Sequence, residues 1–237
     1  MSMAAFIPLR GNSKSIPNKN IKLFCGKPLA YWVIKAASDC PSIDQVYVAT
    51  ESKKIKQVVE SFHFANVQVI DRSEYTTTDE AATELAMLEF ANHYEYDHII
   101  LIQATSPLLE TIDLQKAIYQ YDSAQADSLV AVVRQKRFLW KQGKSSAISL
   151  NYNPLKRPRR QDWEGYFVEN GSFYITSRSM LLQSGCRISG RTHLYEMDDA
   201  TYFEIDEYSD WFIAEQLKKN RSRNSEIFER AEKDESV

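Results

Sequence analysis

Short runs of Val, Ile and other apolar residues recur along this 237-residue chain, separated by segments whose apolar positions repeat at three and four residues. Such alternation predicts an α/β fold, a mainly parallel sheet flanked by helices on both faces. Strands are expected at 4–9, 45–50, 67–71, 98–104 and 128–134. Between them, Leu29, Trp32, Val33 and Ala36 share one helical face, as do Ile55, Val58, Val59 and Phe62. Leu85, Leu88 and Ala91 form a third stripe, and Leu114, Ala117, Ile118 and Tyr121 a fourth. Each stripe reads as core packing.

The alternation weakens after Arg134. Residues 135–165 are polar and basic and are interrupted by Pro154 and Pro158; residues 165–176 again look like strand. The stretch 183–197 has two glycines and little periodicity. Both 135–165 and 183–197 are expected to leave the core sheet as lid or inter-subunit excursions from one domain spanning 1–217. Helix is expected to return at 210–217, with Trp211, Phe212, Ala214 and Leu217 facing inward. The charged segment 218–237 is expected to fray or stay disordered.

Composition narrows the classes. With 43% hydrophobic and 26% charged residues and a formal charge of −3, the chain suits a soluble α/β domain and has no global attraction to nucleic acid or anionic membrane. No segment reaches the roughly 20 apolar residues needed to span a bilayer. The first residues, MSMAAFIPLR, are too short an apolar run for a signal peptide. Cys25, Cys40 and Cys186 are odd in number and form no CxxC pair, which suits reduced thiols in a cytoplasmic protein. His63, His93, His98 and His193 show no zinc-ligand spacing.

Local charge is more telling. The stretch 7–28 carries Arg10, Lys14, Lys19, Lys22 and Lys27 and not one acid. A basic loop between a first strand and a helix lies at the carboxyl edge of the sheet, where open α/β folds bind ligands. Backbone N–H groups and basic side chains there suit a polyphosphate. Neither GxxxxGK[ST] nor GxGxxG is present. On charge alone, a solvated basic loop remains an equal reading.

The string RGNSKSIPNKN, residues 10–20, resembles the signature of the nucleotide-sugar cytidylyltransferases, which activate sialic acid and related keto-sugar acids with CTP. LIQATSPLL (101–109), KRPRRQDWEGYFVENGSFYI (156–175) and FEIDEYSDW (203–211) follow in the order of that family. The resemblance covers residues 4–217 and is nearest to the N-acylneuraminate type. It implies a nucleotide-diphospho-sugar transferase (Rossmann-like) fold, a homodimer and the reaction CTP + N-acylneuraminate → CMP-N-acylneuraminate + pyrophosphate. Both reactants are anions, so neutralisation and alignment must carry most of the catalysis.

Residue by residue, the resemblance implies that Arg10 and Lys19 grip the triphosphate, supported by Ser13, Lys14 and Asn20. Arg72 and Asp79 fall where the family places nucleotide contacts, although 73–82 also reads as a polar turn. Gln103, Lys141, Arg160 and Tyr174 fall on acyl-sugar positions, with Asn170 and Gly171 shaping a turn that presents Tyr174. Glu204 and Asp206 alternate across one residue, so in a strand-like segment they share a face and suit Mg²⁺ or Mn²⁺ with phosphate oxygens and water. The family commonly has Asp at the place of Glu204, which makes Asp206 the firmer ligand. Glu207 and Asp210 read better as solvated or capping carboxylates at a helix start. Bacterial relatives often carry aromatic residues near Arg187 and Ile188, and this chain does not.

Other readings stay open at this point. The same chemistry on legionaminic, pseudaminic or 3-deoxy-octulosonic acid is one. A non-catalytic nucleotide- or RNA-binding protein using the 10–27 and 156–160 clusters is another. KRPRR also matches a nuclear-import pattern, but no recognition helix or aromatic-basic ribbon accompanies it, so a nucleic-acid partner is not expected.

Overall fold

The computed structural model describes residues 2–78 and 80–234, with side chains through Arg221. In chain order the elements are β1 (Met3–Pro8), β2 (Leu23–Phe24), β3 (Lys27–Pro28), α1 (Leu29–Ser38), β4 (Gln45–Ala49), α2 (Lys53–Glu60), β5 (Val67–Ile70), α3 (Thr83–His93), β6 (His98–Ile102), α4 (Thr111–Ser123), β7 (Ser128–Gln135), β8 (Trp140–Gln142), β9 (Ala147–Ser149), β10 (Tyr166–Ser177), α5 (Arg178–Ser184), β11 (Thr192–Glu196) and α6 (Tyr208–Asp234). Seven strands form one sheet in the order β11-β7-β10-β6-β1-β4-β5. β10 runs antiparallel to both of its neighbours, and the other pairings are parallel.

Period-two alternation divides each central strand between two cores. Ala5, Ile7, Val46, Val48, Ile100 and Ile102 pack with α1, α2 and α4. Ala4, Phe6, Tyr47, Ala49, Ile99 and Leu101 point the other way, against Ala86, Met87, Phe90 and Ala91 of α3. The chain leaves β1 for β4 and β5 on one side and returns through β6 on the other. That reversal opens a crevice beyond the carboxyl ends of β1 and β6.

A third, smaller cluster governs the crevice. Ile16, midway along the basic loop, is fully buried with Phe24, Leu29, Ile205, Trp211 and Ala214. Burying one such side chain stabilises by roughly 1.5–3 kcal/mol, enough to clamp the loop onto the FEID segment and the start of α6.

Several expectations need correction. Residues 183–197 are no excursion: Thr192–Glu196 is β11, the sheet's parallel edge strand. Only one of its five side chains is buried, so it lacks the apolar run that marks a central strand. Leu85 is 40% exposed, because the buried face of α3 is made by Ala86, Met87, Phe90 and Ala91. Phe212 is 65% exposed, since Trp211 and Ala214, three apart, already define the inward face of α6. Of the segment 218–237, the described residues through Asp234 continue α6, and 235–237 lie outside the described residues. Residues 135–165 do leave the sheet, as the β8–β9 hairpin and two short 3₁₀ turns.

Candidate active site

The crevice is a cavity of about 370 Å³ at the ends of β1 and β6, lined by Arg10, Ser13, Lys14, Lys19, Asn20, Arg72, Gln103, Thr105 and Asp206, with Thr78, Ala81 and Thr83 on the side of α3. Its basic loop is held from both ends. The Gly11 N–H donates to Glu51 Oε1 at 2.5 Å, and Asn20 Nδ2 donates to the Arg10 carbonyl at 3.0 Å. Between them Asn18 takes the left-handed conformation (φ 54°), which asparagine tolerates better than most residues, and turns the chain so that Lys19 faces the cavity.

Lys19 Nζ donates to the Ile205 carbonyl at 2.7 Å and to Asp206 Oδ1 at 3.2 Å. Arg72 enters from beyond β5, where its guanidinium donates to the hydroxyl and carbonyl of Thr76. Burial pushes the Arg72 pKa down, and the nearby Arg10 charge adds to that shift against the opposing pull of Glu51 and Glu89. Two guanidiniums and two ammonium groups thus converge on one small cavity, an arrangement that favours a polyanion.

Of the two acids expected here, Asp206 lines the cavity, while Glu204 lies beside it against Gly171. Their segment is extended backbone outside any strand, tied to the turn after β6 by the Ile205 N–H to the Thr105 carbonyl (2.8 Å). Ile205 is buried, Asp206 exposed and Glu204 half-buried, as alternation along an extended segment requires. Burial, then the neighbouring Asp206 charge, pushes the Glu204 carboxyl above its ordinary range. Asp210 Oδ2 accepts from the N–H groups of Asp206 (3.1 Å) and Glu207 (2.8 Å) and so closes the turn that starts α6. Among the described residues no group of three His, Cys, Asp or Glu side chains is arranged to hold a metal ion. Two adjacent oxygen donors whose charges repel one another nevertheless fit a hard divalent cation that takes its remaining ligands from phosphate and water.

The expected sugar residues are only partly brought together. Gln103 lines the cavity. Tyr174 lies on the α3 side of the sheet, almost buried, with its hydroxyl donating to Glu169 Oε2 at 2.9 Å. Asn170 and Gly171 form a bulge within β10 where a turn was expected. Gly171 has φ +64°, a conformation L side chains rarely adopt, and a Cβ there would meet the Glu204 carboxylate, so glycine is favoured. Lys141 is on the exposed β8–β9 hairpin. Arg160 lines a separate cavity of about 870 Å³ with Arg134, Lys136, Arg137, Tyr202 and Phe203. Asp79 lies outside the described residues.

Sequence reasoning missed Thr78, Thr83 and Thr105 in the cavity wall, since lone threonines carry no pattern. It also missed the pair Arg187–Glu84, in which Nε and a terminal guanidinium nitrogen meet the two carboxylate oxygens at 2.6 and 3.0 Å.

A switched α/β sheet with a cationic crevice at its carboxyl edge defines an open, doubly wound α/β protein with its candidate site at the topological switch point. Solved structures share this fold: a CMP-2-keto-3-deoxy-manno-octonic acid synthetase complexed with CTP superposes with TM-score 0.69 at 17% identity, over 93% of this chain and 100% of that one. A 4-diphosphocytidyl-2C-methyl-D-erythritol synthase of Anaerococcus prevotii gives TM-score 0.68 at 9% identity, over 92% and 96%.

The chain belongs to the cytidylyltransferase family, whose profile matches residues 4–233. It is 39% identical to N-acylneuraminate cytidylyltransferase A of Danio rerio over 219 residues, 90% of this chain and 50% of that protein. It is 26% identical to the N-acylneuraminate cytidylyltransferase of Streptococcus agalactiae, over 89% of this chain and 52% of that protein. The chain therefore spans about half the length of these curated relatives.

Proposed function

We propose that this chain transfers CMP from CTP to the anomeric hydroxyl of a sialic acid and releases pyrophosphate. The observation that carries the reading is the convergence of Arg10, Lys14, Lys19 and Arg72 on one cavity that also holds Asp206. Membership of the cytidylyltransferase family and the 39% identity to a sialic-acid enzyme support it.

In the proposed reaction the C2 hydroxyl oxygen of the sugar forms a bond to the α-phosphorus of CTP. The bond from that phosphorus to the bridging oxygen breaks, the electron pair leaves with pyrophosphate, and the hydroxyl proton is released to solvent. Arg10 and Lys19 neutralise charge that grows on the departing group, with Ser13, Lys14 and Asn20 holding the loop around the phosphates. Arg72 supports the nucleoside end. Gln103 orients the sugar from the cavity wall, and Tyr174, almost buried with its hydroxyl on Glu169, supports that side of the site without lining it. Mg²⁺ or Mn²⁺ would be held by Asp206, with Glu204 beside it, and would neutralise phosphate oxygens and acidify the attacking hydroxyl.

Lys141 and Arg160 lie outside the chain's own central cavity, on the excursion that also exposes Trp140, Ile148, Leu150 and Leu155 at 50%, 56%, 58% and 94%. A homodimer that buries this apolar surface and brings these cations to the partner's cavity is part of the proposal. No helix among the described residues is long and apolar enough to cross a membrane. We place the reaction in the cytoplasm, where CTP is made, and assign no nucleic-acid partner.

The test is pyrophosphate release from CTP and Mg²⁺ with N-acetylneuraminate, run beside legionaminate, pseudaminate and 3-deoxy-octulosonate, with ATP and UTP as controls. Release with N-acetylneuraminate and CTP is expected. Release with another acid alone keeps the mechanism and moves the substrate, and silence across the panel overturns the reading.

A further inference from the structure

The polar segment that runs from Arg72 to the start of α3 walls the nucleotide side of the cavity through Thr78, Ala81 and Thr83. Its first residues are tied to α3 by Glu89, whose carboxylate accepts from the N–H and hydroxyl of Ser73 and from the hydroxyl of Thr76. The wall is therefore placed by wherever α3 stands.

Two contacts from one later stretch of chain set that position. At the far end of α3, Arg178 Nε donates to the Ala91 carbonyl at 2.7 Å. At the near end, Arg187 grips Glu84 in the first turn through both carboxylate oxygens. Both partners are largely enclosed, with 18% and 21% of their side chains exposed. The Arg187 guanidinium also lies over the Tyr174 ring, 5.0 Å from its centroid. One cation thus touches the tyrosine expected to orient the sugar and the helix turn next to Thr83.

The loop that carries Arg187 is shaped for this purpose. Gly185 ends α5 in the left-handed conformation (φ 68°), and Gly190 (φ 65°) abuts the side chain of Asp127. Arg187 is fixed between two turns that few other residues could make.

We propose that Arg187 is a positioning residue for nucleotide binding, acting through Glu84 on the α3 turn that walls the cavity. The inference rests on the reading of the cavity as a CTP site. A planar two-pronged contact sets the turn in both distance and orientation, which a point charge does not do. Loss of the pair should let the wall shift, and shifts of about 1 Å far from the reacting atoms are known to cost roughly a hundredfold.

The experiment measures CTP affinity by calorimetry, without a sugar, and CTP and sugar KM and kcat by pyrophosphate release. Wild type is compared with Arg187→Lys, Arg187→Met and Glu84→Gln, each first checked by circular dichroism at a temperature well below its Tm. We expect CTP Kd and CTP KM to rise roughly tenfold in Arg187→Met and nearly as much in Arg187→Lys, with a smaller effect on kcat. Should Arg187→Met fail to fold, the volume-preserving Arg187→Lys and Glu84→Gln carry the test. Folded variants with unchanged CTP affinity and KM, or full rescue by lysine, overturn the inference. A wild type that binds CTP but turns over no acid brings down the proposed reaction alone, because the CTP affinities still judge Arg187. A wild type that binds no CTP brings down both.

Discussion

Lys19 Nζ lies 3.2 Å from Asp206 Oδ1 and donates to the Ile205 carbonyl, joining the basic loop to a segment 187 residues further along the chain. The contact sets cation and carboxylate on the same rim of the cavity while Asp206 stays open to ligand, its side chain 68% exposed. Asp206→Ala should therefore leave the fold intact and reduce turnover by roughly 10²–10³. CTP binding should partly survive, since the cationic loop remains. Turnover close to wild type, at saturating CTP and Mg²⁺, would remove Asp206 from the site.

Arg10 follows the buried Leu9, two residues past the end of β1, and its carbonyl is held by Asn20. The backbone there is fixed independently of the guanidinium. Arg10→Ala should accordingly keep its circular dichroism spectrum and lose most pyrophosphate release, by about a hundredfold. A steady-state assay that returns near-normal turnover would contradict the triphosphate role.

Glu204 is half-buried against Gly171 and repelled by Asp206, so its charge is costly to the folded chain. Glu204→Gln keeps the shape and removes that charge. In metal-free buffer the variant should melt higher by roughly 2–4 °C, corresponding to about 1 kcal/mol in a domain of this size. Mg²⁺-dependent turnover should fall. A lower Tm in the variant would mean that the carboxylate is stabilised by contacts other than those described.

The sheet was legible because its central strands are buried on both faces and read as short apolar runs, and their ends fall within about two residues of the expected ones. β11 was not, since THLYE at an edge buries one side chain and offers no run to detect. The cavity was legible as far as adjacent residues build it: RGNSKSIPNKN is one loop, and its basic residues do meet in space. Its closure on FEID depends on Ile16 packing against Ile205 and Trp211, a contact no local pattern records. Arg187 and Glu84, 103 residues apart, are each an ordinary surface charge until the fold joins them.

That pair gives a pH signature. The hydrogen-bonded Arg187 guanidinium holds the Glu84 carboxyl below its ordinary value of 4.5, outweighing the effect of burial. A depressed folded-state pKa contributes stability that is present above the unfolded value and lost as pH falls through the folded one. Glu84→Gln should therefore melt below wild type at pH 7, and the gap should close as pH drops through and below 4.5. A gap that stays constant from pH 7 down to pH 3 would show that the ion pair adds nothing beyond packing.

Arg160 and Asp206 line separate cavities of the same chain, which makes the proposed dimer directly testable. If Arg160 serves the partner's site, Arg160→Ala and Asp206→Ala should each be nearly inactive alone yet recover activity when mixed, denatured and refolded together. In a mixed dimer the Arg160→Ala chain keeps its own Asp206 and receives Arg160 from its partner, so one of the two sites is whole. Random pairing makes half the dimers mixed, and the mixture should reach about a quarter of wild-type turnover. Were Arg160 to act within its own chain, every site would lack one of the two residues and the mixture would stay inactive. Replacing Trp140 and Ile148 with glutamate should abolish the recovery and shift the protein to monomer in analytical ultracentrifugation, because both side chains belong to the exposed apolar surface assigned to the contact.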